Sequence, residues 1–244
     1  MKKVFCAVLS ILSLNAWAED EGGSNFSVSA DVVSTYVWRG SYQAGTSIQP
    51  YMEFNTGNFA FGAWGSVDIA GFGYKEVDLM ACYSFKNLTV GFFDYWVAGE
   101  ASYNYFDFSK STLHLLDAWV NYSFNRLPLR IDWYTIVAGD GNYCKYWKKG
   151  KLKKAFPTYI EATYAFSLKE VNLEAAIGIS PWNSSTLYNR YDEGGRTDGL
   201  AVINLSLKAS KDIKITDNYA LPVFGQLIFN PAKEDSFLVF GIKF

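Results

Sequence analysis

The side chains able to do chemistry are few, and their spacing limits what they can do. One histidine, His114, occurs in 244 residues. A hydroxyl nucleophile needs an imidazole within hydrogen-bond reach, and the residue two places after His114 is Leu116, so the His-x-Ser arrangement of membrane-embedded phospholipases is missing. A zinc site built on imidazoles needs a second His, so neither a metal nor another cofactor is expected. Glu76 and Asp78 project the same way from a strand, as an acid–base pair would. A polar lining accounts for them without catalysis, and an enzyme ranks third among the readings.

Two further clusters invite a binding role. Tyr103, Tyr105, Phe106 and Phe108 lie between Gly99 and Thr112. Folded inward, that loop would be a constriction with rings for stacking on solutes, whereas rings packed on a rim are the plainer alternative. Lys148, Lys149, Lys151, Lys153 and Lys154 follow Lys145 around Trp147. Such a basic group attracts phosphate-rich surfaces, and lipopolysaccharide is the expected contact. A solvated loop accounts for the lysines equally well.

Composition excludes several classes. With 22 Lys and Arg against 24 Asp and Glu, nothing recommends a nucleic-acid partner. Lys2 and Lys3, the apolar run Val4 to Leu14 and Ala16-Trp17-Ala18 have the form of a cleaved export signal. Residues 1–18 are therefore expected to be a signal peptide and 19–244 a single domain. The run is too short to span the ~30 Å hydrocarbon core as an anchor. Cys6 lies within it, while Cys82 and Cys144 fall in an expected strand and an expected loop. A disulfide between those two is permitted by an exported compartment but not indicated by spacing.

The elements that position these residues read as strands. Segments of about ten residues alternate apolar and polar side chains, separated by turn chemistry. They are Phe26 to Trp38, Ser47 to Asn55, Asn58 to Ile69, Lys75 to Phe85, Leu88 to Ala98, Leu113 to Phe124, Leu129 to Ala138, Phe156 to Leu168, Val171 to Pro181, Leu200 to Ala209, Tyr219 to Phe229 and Ser236 to Phe244. Tight connections such as Thr56-Gly57 and Lys169-Glu170 alternate with long ones, and Ser210 to Asn218 is the exception. The expected fold is all-β, a transmembrane antiparallel up-and-down β-barrel of about twelve strands; a soluble sandwich is the alternative. The last strand ends on Phe244, which resembles the signal read by the outer-membrane barrel assembly machinery.

Charge sorts the faces, because a charged side chain on the lipid face costs about 2 to 4 kcal/mol at mid-depth. Val77, Leu79, Ala81, Tyr83 and Phe85 are expected to face lipid, and Ile203, Leu205 and Leu207 likewise. Glu53, Asp68, Glu76, Asp78, Asp117, Arg130, Asp132, Glu161, Glu174 and Lys208 are expected to line the lumen. Tyr36, Trp38, Trp133, Tyr164 and Phe244 suit interfacial girdles. The lumenal acids, Asp31 among them, outnumber Arg39, Arg130, Lys208 and Lys243. That surplus favours a hydrated, cation-preferring lumen, against a plugged barrel whose charges form a structural network.

Val32-Val33-Ser34-Thr35-Tyr36-Val37-Trp38-Arg39-Gly40, Ser47-Ile48-Gln49-Pro50 and Phe59-Ala60-Phe61-Gly62-Ala63-Trp64-Gly65-Ser66 resemble the opening of the TorF-type (Gcw_chp) porin family. Leu221-Pro222-Val223-Phe224-Gly225, Asn230-Pro231 and Phe240-Gly241 are similar to its end. The resemblance implies a bacterial outer-membrane barrel and carries no site residues with it. The expected function is passive diffusion of small hydrophilic solutes or ions in contact with outer-membrane lipid. A non-conducting structural or surface barrel is the alternative.

Overall fold

Side chains on a strand point alternately to its two faces, and Lys75–Phe85 sorts them cleanly: Val77, Leu79, Ala81, Tyr83 and Phe85 are exposed, while Glu76, Asp78, Met80, Cys82 and Ser84 are buried. The computed structural model describes residues 25–71, 73–98, 104–109, 112–139, 145–148, 151–182, 185–188 and 199–244. The expected signal peptide lies outside them.

The elements in chain order are β1 (Asn25–Val33), β2 (Tyr36–Trp38), β3 (Ser41–Ala44), β4 (Ser47–Thr56), β5 (Phe59–Asp68), β6 (Lys75–Phe85), β7 (Leu88–Ala98), β8 (His114–Ser123), β9 (Leu129–Gly139), β10 (Lys145–Lys148), β11 (Lys151–Lys154), β12 (Thr158–Leu168), β13 (Val171–Ser180), the single helical turn α1 (Ser185–Tyr188), β14 (Ala201–Thr216), β15 (Tyr219–Asn230) and β16 (Asp235–Lys243). Twelve of the strands close into one antiparallel barrel in the order β1-β16-β15-β14-β13-β12-β9-β8-β7-β6-β5-β4, and β2-β3 and β10-β11 are separate two-stranded hairpins. The ring closes between β1 and β16. Asp31 pairs with Lys243, Val32 with Ile242 and Val33 with Gly241, and the backbone of Phe244 exchanges both bonds with Ala30 at 2.9 and 3.1 Å. Closure leaves no free edge in the wall.

Three departures from the alternation matter. The expected first strand, Phe26 to Trp38, ends at Val33, and Tyr36 and Trp38 belong to an inward-turned hairpin instead of a girdle. Trp133, Tyr164 and Phe244 do stand exposed on the outer face. β14 runs on to Thr216, so the long connection expected at Ser210 to Asn218 is strand followed by a tight turn. Ile203, expected to face lipid, is fully buried. The register between β13 and β14 slips there, pairing Gly178 with Asn204 but Ile179 with Val202. A bulge of this kind inserts an unpaired residue and re-aims its side chain.

Candidate functional site

The hairpin β2-β3 is built to turn tightly and to sit inside the barrel. Its two turn residues both have positive φ, 49° at Arg39 and 76° at Gly40, the backbone that two-residue hairpins favour. At Gly40 a Cβ would lie 1.9 Å from the carbonyl oxygen of Ile203 on β14. Glycine alone fits. Asn230 donates from Nδ2 to the Gly40 carbonyl at 2.9 Å, and Lys233 Nζ donates to Ser41 Oγ at 3.0 Å. The base of the hairpin packs across the lumen, Tyr36 and Ala44 joining Trp64, Ile228 and Val239 in one buried cluster.

Arg39 at the tip meets four strands of the wall. Its Nη2 donates to Asp117 Oδ2 at 2.8 Å and to the Tyr95 hydroxyl at 3.2 Å, and Nη1 donates to the hydroxyl of Tyr188. The guanidinium carbon lies 4.1 Å from the ring centre of Tyr134, 4.4 Å from Trp38 and 5.2 Å from Tyr159. Both members of the ion pair are buried, with side-chain exposures of 7% and 0%. A charge so placed is stable only because it is paired and hydrogen-bonded.

The residues expected in the lumen are inward-facing, but many are tied down. Glu53 accepts from the Tyr51 hydroxyl and from Asn55 Nδ2. Asp68 caps the turn after β5, accepting from the Ala70 amide at 2.6 Å, and Glu76 accepts from the Tyr74 hydroxyl. Asp132 accepts from Arg130 Nε at 2.8 Å and from Asn121. Glu161 accepts from Tyr159, Thr163 and Asn204, and Glu174 stands opposite Lys208 in register. Beside the hairpin remains a cavity of about 180 Å³ whose charged walls are Asp78, Glu161, Glu174, Arg39, Arg130 and Lys208. The signs balance there only while Arg39 is in place. A larger concavity of about 610 Å³ lies among Val32, Phe240, Ile242 and Gly225, with Lys211 as its one ionisable wall, and so offers little chemistry.

Among the described residues of the aromatic loop, Tyr105, Phe106 and Phe108 lie away from the lumen. On β7, Phe93 and Tyr95 are buried inside and Phe92 is exposed outside, which puts Asp94, Trp96 and the neighbouring His114 on the outer face. Tyr105 folds onto that face, its hydroxyl donating to Asp94 Oδ2 at 2.9 Å and its ring lying edge-on to Trp96 and His114. Phe108 stacks on His114 at 4.5 Å, and Phe106 projects outward, 82% exposed. Tyr103 lies outside the described residues. His114 Nδ1 is 2.8 Å from Asp94 and Nε2 is 2.6 Å from the Tyr105 carbonyl, so no ring nitrogen remains for a nucleophile. Desolvation and the bond to Asp94 push the Tyr105 phenol up to about 12. The raised value means that its share of the contact holds below pH 10 and is lost as pH rises through 12.

The lysine stretch forms a hairpin within its long connection, with Lys145 opposite Lys154 and Lys148 opposite Lys151. Lys151, Lys153 and Lys154 are exposed; Lys149 lies outside the described residues. Cys82 is disulfide-bonded; Cys144, the other cysteine of the pair considered from the sequence, lies outside the described residues. Among the described residues no three His, Cys, Asp or Glu side chains converge as metal ligands.

Alternation along the chain does not reveal the Arg39 contacts, the inward hairpin or the Asp94–His114 pair. The Arg39-Gly40 step, directly after an expected first strand of unusual length, was the available signal. No family model matches the chain, and no curated protein matches it.

Proposed function

We propose that this chain is an outer-membrane channel for small hydrophilic solutes, with a preference for cations, whose outer mouth is closed at rest by the β2-β3 hairpin. The carrying observation is the lumen itself: inward carboxylates that outnumber the bases, a cavity of about 180 Å³, and beside it a plug seated by hydrogen bonds, one ion pair and ring packing. A surplus of fixed negative charge in a narrow polar lumen lowers the barrier for cations over anions. The apolar exterior and the resemblance of both chain ends to TorF-type porins agree with an outer-membrane location, and no catalytic role is proposed.

A permanently sealed barrel is the second reading, favoured by the full set of partners around Arg39. Planar-bilayer recording of the refolded mature chain separates the two. Small, cation-preferring openings are expected from the native chain, and several-fold larger ones when residues 36–44 are replaced by a short Gly-Ser link. Neutralising Glu161 and Glu174 in that variant should reduce the cation preference. A hairpin-less barrel that folds and stays silent would discard the channel.

The β10-β11 hairpin is proposed to meet lipopolysaccharide. Like charges directly opposite across two strands are destabilising, and the register of this hairpin sets lysine against lysine twice. Anionic phosphates would relieve that repulsion. Changing Lys151, Lys153 and Lys154 to Gln should lower the lipopolysaccharide carried through purification; unchanged retention would remove this contact from the account.

A further inference from the structure

The site that holds Arg39 is built mostly by the barrel. Tyr95, Asp117, Tyr134 and Tyr159 project from β7, β8, β9 and β12, and Tyr188 comes from α1 in the connection after β13. Trp38 is the ring that travels with the hairpin. Around the guanidinium carbon, ring centres lie at 4.1 Å for Tyr134, 5.2 Å for Tyr159, and 5.9 Å for both Tyr95 and Tyr188. Asp117 supplies the carboxylate at 2.8 Å. Several π faces closed by one carboxylate is the chemistry that recognises a planar, weakly hydrated cation. Tyr95, Tyr134 and Tyr159 also wall the adjacent cavity, so a solute resting there touches the same faces.

We infer that this cage is a binding site for a guanidinium-bearing solute, and that Arg39 occupies it as a tethered stand-in which the solute displaces. Asp117 has 0% exposed side chain, and a carboxylate so buried demands a cation in place of the one withdrawn. Exchange of one guanidinium for another meets that demand; loss of Arg39 alone does not. Tethering gives Arg39 a high effective concentration, so the native chain takes up free solute more weakly than a chain lacking Arg39. This inference deepens the channel reading by naming its solute class, and rests on it for the solute's route.

Calorimetric titration of the mature protein in detergent tests it, using L-arginine and its neutral isostere L-citrulline. Arg39→Ala should bind L-arginine about tenfold tighter than the native chain does, as release from a tethered competitor requires, and should ignore L-citrulline. Adding Asp117→Asn should abolish the preference. In the native chain, saturating L-arginine should raise amide hydrogen exchange across residues 36–44, and L-citrulline should not. Should Arg39→Ala fail to refold, Arg39→Gln carries the same comparison. A folded variant that treats the two ligands alike overturns the site, as does a native hairpin whose exchange ignores L-arginine. Binding with a silent bilayer would keep the site and end the channel reading; conductance without discrimination would do the reverse.

Discussion

Gly40→Val is expected to open the barrel without removing any charged or hydrogen-bonding side chain. The new Cβ would fall 1.9 Å from the Ile203 carbonyl oxygen and 3.0 Å from its carbon, backbone atoms of a bulge that is held in the wall by the pairing of Val202 and Asn204 on either side. A β-branched residue at φ +76° adds strain of about 1–3 kcal/mol. The hairpin tip therefore cannot stay seated, and its loss takes with it the Asn230 bond to Gly40 and the position of Arg39. The twelve wall strands pair without the hairpin, so the ring survives. Single-channel conductance should rise several-fold, towards that of the barrel without residues 36–44, together with faster amide exchange in the hairpin. Native conductance with native protection of residues 36–44 would show that the clash is absorbed and that the plug is not set by this contact.

What the sequence made legible was the wall, because an apolar outer face and a polar inner face sort side chains by the same rule along most of its strands. Glu76 and Asp78 could not share a face with Leu79 and Tyr83, and one such strand fixes the faces of its neighbours. The place where the chain leaves the wall was not legible. Tyr36, Val37 and Trp38 continue the alternation of β1, and a ring buried in the lumen has the same hydrophobicity as a ring on the outer face. Asp94 defeats the charge rule in the opposite sense: its carboxylate stands on the outer face, tolerated because His114 and Tyr105 bond it and Phe108 covers His114. No alternation encodes that cover, since it comes from a loop. Ile203 was misplaced for a third reason. A one-residue slip reverses the face of a side chain, and the slip at Gly178/Ile179 has no mark in a pattern read one strand at a time.

The same physics makes the Arg39–Asp117 pair the most sensitive point of the interior. Asp117→Ala leaves a guanidinium among rings with no counter-charge, and breaking one half of a buried pair costs about 3–5 kcal/mol. The chain can avoid that penalty only by expelling the hairpin, which gives up the packing of Tyr36 and Ala44 against Trp64, Ile228 and Val239. Either route lowers the urea midpoint of the barrel in lipid vesicles. Arg39→Met with Asp117→Ala removes both charges and keeps an apolar stem among the tyrosines, so the double variant should be more stable than Asp117→Ala alone. A coupling of about 1–3 kcal/mol is expected from the cycle. Additive single changes would mean that the rings and the Gly40 turn hold the hairpin by themselves, and that the ion pair is present without seating it.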